Sequence, residues 1–468
     1  MSFFPHDPVA FGQFLDRVAQ YAASTLDPAS QTQQQTLPVT PFPTRSEHHP
    51  STLDPALADF LALELSNSGM GLASTLEELL SRIGPSMSNS AGSRYYGLVT
   101  GGVTPAAFLA DWLVTLFDQN TILYSDEAVS GYSLITDQAM RMAVDLFNLP
   151  KGEFRAMTTS GSTASNVVGM AVGRQWLGVQ RHGVDYSQDG YDGRVVVLTN
   201  MAHASVWKAA SILGIGRKNV QELVDMGVSE EDDGGLESEI IKWTGQGKAV
   251  MVFLAFGEVN TGIFVKNTRK IGQVCKDHGA YLHIDGAFGI YARCSPKYAH
   301  LADGLELAHS ITACGHKWLN VPYDCGLFIY RKQLEKATME PVFSSTAAYL
   351  RPSESASSHP MNLSIENSQR FRALPVWATL RAYGREGYSR IVEENCRFAK
   401  TMHDWIKSRP ELYTTLTEEC PLNIVVFCKS SPTLTRVQGA VSLAEKEHGL
   451  KELEKVNQEL LKRLNASG

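Results

Sequence analysis

Four segments of this chain carry residues whose types and spacing could do chemistry. Lys317 sits in Cys314-Gly315-His316-Lys317-Trp318-Leu319-Asn320, between two short apolar stretches, Ser310 to Cys314 and Gly326 to Tyr330. An amine at a strand-to-loop junction beside a histidine and aromatic rings can be partly shielded from water; a surface lysine is the bland alternative. Such an amine can attack a carbonyl and form an imine. Asp285 ends another strand-like stretch in Tyr281-Leu282-His283-Ile284-Asp285-Gly286-Ala287-Phe288-Gly289. A carboxylate at the end of a buried strand needs a partner. A protonated ring nitrogen would serve, with glycine and alanine leaving room for a flat ring; a cap on the next turn is the simpler reading. His283 reads as a core histidine and not a metal ligand.

The third segment is Thr158-Thr159-Ser160-Gly161-Ser162-Thr163-Ala164-Ser165-Asn166, small and hydroxylic and leading into a helix. Backbone N–H groups at a helix N-terminus, with hydroxyls beside them, make a phosphate seat; a capped helix start is the bland alternative. The fourth is Met201-Ala202-His203-Ala204-Ser205-Val206. Its imidazole would either stack on a planar cofactor or cap the helix that follows. Neither nucleotide signature is present: Gly214-Ile215-Gly216 lacks its third glycine, and Gly245-Gln246-Gly247-Lys248 is followed by alanine. A nucleoside triphosphate or a dinucleotide is disfavoured. Together the segments offer a phosphate seat, a ring sandwich between His203 and Ala287, an acid for a ring nitrogen and an imine-forming lysine. Those are the groups that pyridoxal 5′-phosphate (PLP) requires.

The elements that must position these residues alternate. Apolar strands are expected near Val195–Thr199, Ala249–Phe256, Ala280–Ile284, Ile311–Ala313 and Leu327–Tyr330. Helices are expected near Ala164–Gly178, Val206–Leu213 and Thr268–Asp277. Strands apolar on both faces, separated by helices, indicate a largely parallel α/β sheet covered on both sides. All four segments then lie at strand ends, where open α/β sheets bind ligands. Upstream, Phe11–Thr25 has helical spacing, Pro28–Pro55 reads as an extended arm, and Ser74 or Thr75 before Glu77-Glu78 suggests a capping box. Pro105–Phe117 and Gly131–Leu149 read as buried helices. Downstream, Ser344–His359 reads as a mobile loop. Helices at Phe371–Tyr383 and Tyr388–Trp405, a strand at Asn423–Cys428 and a charged helix at Leu443–Leu464 follow.

The bulk properties narrow the class. A chain of 468 residues exceeds one compact core. Three parts are expected: 1–94 as an N-terminal helical arm, 95–365 as a large domain and 366–468 as a small C-terminal α+β domain. A net charge of −7 leaves no footprint for nucleic acid. No apolar run reaches bilayer length, and the start lacks a basic-then-apolar leader. The seven cysteines are dispersed, without a Cys-x-x-Cys pair. Free thiols in a reducing compartment, with no metal site, are expected, and the cytoplasm is the default location.

At the level of whole motifs the sequence resembles the group II PLP-dependent amino-acid decarboxylases, which include the aromatic-L-amino-acid, histidine and glutamate decarboxylases. The resemblance rests on Thr159 to Asn166, Ala202-His203-Ala204-Ser205, Asn260-Thr261-Gly262, His283 to Gly289, and His316-Lys317-Trp318-Leu319-Asn320-Val321-Pro322-Tyr323-Asp324-Cys325-Gly326. It implies PLP fold type I, the aspartate-aminotransferase-like α/β architecture, and a homodimer with shared active sites. It implies Lys317 as the imine-forming lysine, Asp285 on the ring nitrogen, His203 stacked on the ring and Ala287 beneath it. Ser162, Thr163 and His316 would lie near the phosphate. The implied reaction is decarboxylation of an L-amino acid to an amine and carbon dioxide, with an aromatic side chain favoured over an acidic one.

Three departures bear on that expectation. Cys314 stands where the family often carries an asparagine, and Glu258-Val259 where many members carry threonines. Between Lys332 and Ile365, where the family's loop tyrosine returns a proton to Cα, Tyr349 is the one tyrosine and His359 the one histidine. Tyr349 is therefore the candidate acid. The alternatives are an aldehyde synthase or aminotransferase on the same scaffold, and an inactive PLP-fold binding protein. Relatives continue past a helix like Leu443–Leu464 into closing strands, so the small domain is expected to be abbreviated.

Overall fold

Strands that are apolar on both faces need cover on both faces, and this requirement organises the computed structural model. It describes residues 8–26, 60, 62, 64–87, 90–91, 95, 97–119, 131–223, 225–227, 230–231, 233–344, 360–430, 454–455 and 458. The strands are β1 (Phe154–Thr159), β2 (Val195–Thr199), β3 (Val220–Glu222), β4 (Ala249–Ala255), β5 (Tyr281–Asp285), β6 (Ser310–Ala313) and β7 (Gly326–Arg331). They form one sheet in the order β1-β7-β6-β5-β4-β2-β3. Strands β3, β2, β4, β5 and β6 pair in parallel, while β7 runs antiparallel to both β6 and β1. Strands β1, β2, β5 and β6 therefore run the same way, and the loops after them emerge at one edge.

The described residues fall in two compact units, one within 1–102 and 431–468 and one within 103–430. The first holds α1 (Pro8–Leu26) and α2 (Leu72–Glu78). The second holds α3 (Pro105–Phe117), α4 (Tyr132–Leu146), α5 (Ser162–Leu177), α6 (Ser205–Ile212), α7 (Leu236–Gly245), α8 (Thr268–His278) and α9 (Ala373–Lys407). All seven residues of β4 are buried. Each large apolar side chain there contributes about 1.5–3 kcal/mol by leaving water. In β5, Tyr281 and His283 face α5, while Leu282 and Ile284, on the opposite face, are equally buried. Two glycines let α5 lie this close: a Cβ at Gly169 would sit 2.5 Å from the His283 ring, and one at Gly173 would sit 2.6 Å from Met251 Cε. His283 is a core residue, and burial pushes its pKa down to about 3.

Some elements differ from expectation. Strand β1 carries Arg155 and is only half apolar, β3 has three residues, and α7 is mostly polar; none gave a usable apolar pattern. Helix α2 begins at Leu72 behind Gly71, without a side-chain cap, and the Thr75 hydroxyl donates to the Gly71 carbonyl at 2.9 Å. The capping box is not formed, because Thr75 already lies inside the helix. The two expected C-terminal helices run as one span broken at Gly384, whose φ of 58° departs from the helix. Helix α3 is capped by Thr104, whose hydroxyl accepts from Ala107 N–H. Only its Ala107, Ala110 and Val114 are buried, so it is not the buried helix that its composition suggested. The strand near Asn423–Cys428 is shorter and later: β8 (Tyr413–Thr415) pairs antiparallel with β9 (Phe427–Lys429). The segments Pro28–Pro55 and 345–359, and most of Leu443–Leu464, lie outside the described residues.

Candidate active site

At the edge where β1, β2, β5 and β6 end, a cleft is lined by Ser162, Met201, His203, Ala255–Val259, Asp285, Ala287, Phe288 and Lys317. Five of the expected site residues are thus brought together from four separate loops. Lys317 lies in the turn from β6 to β7. That turn closes on itself: Gly315 and His316 N–H both donate to the Cys325 carbonyl, at 3.0 and 3.2 Å. Its base is fixed by the buried Trp318, stacked on Phe288 with centroids 5.0 Å apart, and by Tyr291 OH donating to the Cys314 carbonyl at 2.7 Å. Among the described residues the Lys317 amine makes no ion pair and no hydrogen bond.

Asp285 is the last residue of β5 and is half-buried. Its Oδ1 accepts from Ala287 N–H at 3.1 Å, and its Oδ2 from Asn166 Nδ2 at 2.8 Å. Among the described residues no cation pairs with it. A carboxylate oriented by two donors and lacking a cation fits a protonated ring nitrogen. His203 follows β2, immediately before α6. Its Nδ1 accepts from Ser205 N–H at 3.2 Å and lies 2.9 Å from Ser205 Oγ.

Ser162 opens α5 at the point where Gly161 takes φ 151°, with no side-chain cap on the helix start. The first turn therefore keeps backbone donors for an anion. Cys314 borders this seat, its sulfur 3.1 Å from His316 Nε2. Burial still raises the Cys314 thiol, with Lys317 and Ser162 pulling the other way. Thr163 and His316 do not line the cleft. Thr163 lies half-buried in the first turn of α5. His316 lies behind Gly161, its Nε2 3.1 Å from Cys314 Sγ and its Nδ1 accepting from Cys325 N–H at 3.2 Å. Tyr323 stacks on its ring at 3.9 Å. Burial and then the Lys317 charge push its pKa down to about 4, so near pH 7 it offers a neutral N–H. Tyr349 lies outside the described residues.

Residues 63–429 match the pyridoxal-dependent decarboxylase conserved domain. The chain belongs to that family. It is similar to L-2,4-diaminobutyrate decarboxylase of Acinetobacter baumannii, 26% identical over 53% of this chain and 51% of that protein. The enzyme of the same name from Rhizobium meliloti (strain 1021) is 27% identical over 73% of this chain and 66% of that protein. Aromatic-L-amino-acid decarboxylase of Bacillus atrophaeus is 27% identical over 53% and 50%. The chain thus spans about half to two-thirds of the length of these curated relatives. Among solved structures, Oryza sativa TDC with PLP and tryptamine superposes with a TM-score of 0.79 at 18% identity, covering 100% of this chain and 91% of that one. Mouse CSAD gives 0.78 at 20%, covering 98% and 91%. At such identities these likenesses show the fold, the mostly parallel α/β architecture of fold type I.

The family cofactor is PLP, and the residues present fit it: an unpaired amine, an oriented carboxylate without a cation, and an uncapped helix start. Each of these groups lies in one of the motifs of the sequence. What the motifs do not show is the layer behind them. Asn166 and Ser205 join Asp285 to His203 through side-chain hydrogen bonds, and Thr312 Oγ1 donates to Asn166 Oδ1. Asn166 and Asp285 are 119 positions apart, and nothing in linear spacing links them.

Proposed function

We propose that this chain is a PLP-dependent carboxy-lyase that converts an L-amino acid into an amine and carbon dioxide. The observation that carries the proposal is the meeting of an unpaired Lys317 amine and a cation-free Asp285 in one cleft beside an uncapped helix start. Lys317 would hold the cofactor through its amine. Asp285 would keep a proton on the ring nitrogen. His203 and Ala287 would flank the ring, and Ser162 with the first turn of α5 would receive the phosphate. When bound, PLP supplies the electron sink that makes loss of the substrate carboxylate possible. Phe256, Phe288 and Met201 line the cleft, and no arginine does so among the described residues; this favours an aromatic side chain over an acidic one.

A homodimer is part of the same reading. Leu109, Trp112, Leu113, Leu116 and Phe117 form one exposed stripe along α3, with Leu116 67% and Phe117 64% exposed. A stripe of that width at helical spacing is the kind of surface that a second copy covers. Seven unpaired cysteines suit a reducing compartment, and the cytoplasm is the proposed location. Among the described residues no helix is long and apolar enough to cross a membrane.

The test is product analysis of the PLP-loaded protein across aromatic, acidic and diamino L-amino acids. Stoichiometric amine and carbon dioxide support the proposal. Aldehyde with hydrogen peroxide and ammonia, or a keto acid, would assign the chain to the aldehyde-synthase or aminotransferase alternative. No turnover and no cofactor uptake would leave an inactive binding protein. In Lys317→Ala, borohydride should no longer fix PLP to the chain.

A further inference from the structure

Behind the cleft, one buried amide holds two of its proposed working groups. Asn166 is fully buried in α5. Its Nδ2 faces Asp285 Oδ2 at 2.8 Å and Ser205 Oγ at 3.1 Å. Its Oδ1 accepts from Thr312 Oγ1 at 2.7 Å, and His283 Nε2 lies 3.3 Å away. A carboxylate is an acceptor only, so the amide nitrogen must point at Asp285, and its two hydrogens go to Asp285 and Ser205. Ser205 Oγ is then an acceptor from Asn166, and its own hydrogen is left for His203 Nδ1 at 2.9 Å. Ser205 N–H donates to the same nitrogen. Both donors meet one acceptor, so the ring hydrogen of His203 resides on Nε2. The direction of every bond from Asp285 to His203 follows from two fixed points, the carboxylate and the backbone N–H.

We propose that Asn166 and Ser205 are positioning residues that act through His203: they hold its Nδ1 as an acceptor, and so present a fixed Nε2–H donor to the ring and substrate. The proposal rests on the reading of the cleft as a PLP site. It assigns Ser205 a role that a helix-start serine would not otherwise have, because its hydroxyl caps no backbone donor of α6. The same amide orients Asp285, so the two groups proposed to contact the ring are set by one side chain. Loose packing of that chain would tilt both.

A double-mutant cycle on the PLP-loaded protein tests this. Ser205→Ala should lower kcat about 10–100-fold with KM changed less than about threefold, the pattern of a lost transition-state interaction. It should also weaken PLP binding and diminish the induced circular dichroism of the bound cofactor. His203→Phe keeps an aromatic ring but has no Nδ1. In that background Ser205→Ala should change kcat and the PLP dissociation constant by less than about twofold, because the group through which Ser205 acts is gone. Equal fold-losses in both backgrounds would overturn the proposal while leaving the PLP reading intact. Wild-type protein that takes up no PLP would overturn both. If Ser205→Ala does not fold, Ser205→Cys, with its weak donor, serves in the same cycle with the same two outcomes.

Discussion

Gly326→Ala should weaken cofactor binding without touching any group that contacts the cofactor. Gly326 opens β7 opposite Thr159 of β1. A Cβ there would sit 2.4 Å from the Gly161 carbonyl carbon, 2.6 Å from its oxygen and 2.6 Å from Thr159 Oγ1. Carbon atoms rest at about 3.5–4.0 Å, so the turn and the strand must part by about 1 Å. Two of the obstructing atoms are backbone, which cannot rotate away as a side-chain end can. Forced overpacking of this kind costs about 1–3 kcal/mol. Gly161 immediately precedes Ser162, so part of the displacement moves the helix start that is proposed to hold the phosphate. A loss of about tenfold in PLP affinity corresponds to about 1.4 kcal/mol. The assay is fluorescence titration of apo-protein with PLP, alongside urea unfolding. Gly173→Ala is the control. It overpacks the same helix three turns further on, against Met251 Cε and the Tyr281 ring. It should destabilise the protein by a similar amount while the folded fraction binds PLP normally. Equal effects of the two variants on PLP affinity, or an unchanged unfolding midpoint in Gly326→Ala, would refute the reasoning.

Other perturbations have defined signs. His283, His309 and His316 have pKa values pushed down to about 3, 4 and 4, in each case first by burial. Unfolding releases them to about 6.5, so the unfolded chain binds more protons below that pH. Their contribution is therefore present above about pH 6.5 and is lost as pH falls toward 4, by up to about 1.4 kcal/mol per histidine per pH unit. Urea midpoints at pH 7, 6 and 5 should fall in that order, and a flat series contradicts the assignment. Arg372, almost buried, pairs with Asp324 and Glu366 at 2.9 and 3.1 Å just ahead of Gly326. Arg372→Leu strands both carboxylates and should cost about 2 kcal/mol, below the usual cost of breaking a buried pair because Asp324 is partly exposed; an unchanged midpoint argues against it. Six of the seven cysteines are buried and Cys420 is half-buried. Iodoacetamide on native protein should label Cys420 first, with mass spectrometry as the readout, and early labelling of Cys314 would show that its seat is open.

What the sequence made legible follows from how far apart the interacting residues are. Strand β2 matches its expected bounds, and β4 to β7 match theirs within one residue at each end, because each is a continuous apolar run and needs no partner to be recognised. Strand β1 escaped notice because Arg155 interrupts the run, and that arginine is explained only by Glu335, 180 positions away, which accepts both of its bonds at 2.7 Å. The same holds at the site. Lys317, Asp285, His203 and Ser162 each sit in a compact motif whose local composition suggests a role. Asn166 and Ser205 lie inside two of those motifs, yet the bonds from Asn166 to Asp285 and to Ser205 span 119 and 39 positions, and only the fold makes them. The family resemblance implies Thr163 and His316 near the phosphate, and in the fold neither lines the cleft. A helix start and a tight turn place consecutive residues in different directions, so Ser162 lines the cleft while Thr163 does not.

The apolar composition of α3 suggests a buried helix, yet only three of its residues are buried. Composition cannot distinguish a helix buried in its own chain from one covered by another chain, because both remove the same surface from water. In α3 the small residues Ala107, Ala110 and Val114 face inward, while the large ones, Leu109, Trp112, Leu113, Leu116 and Phe117, face out. That is the reverse of what packing against one's own core selects, since large apolar side chains gain most from burial. The inversion supports the proposed dimer: small residues bring the helix close to its own domain, and a second copy would cover the large ones. Leu116→Glu should therefore change the oligomeric state measured by light scattering before it changes the unfolding midpoint. A variant that remains at the wild-type mass would remove the stripe as support for the dimer.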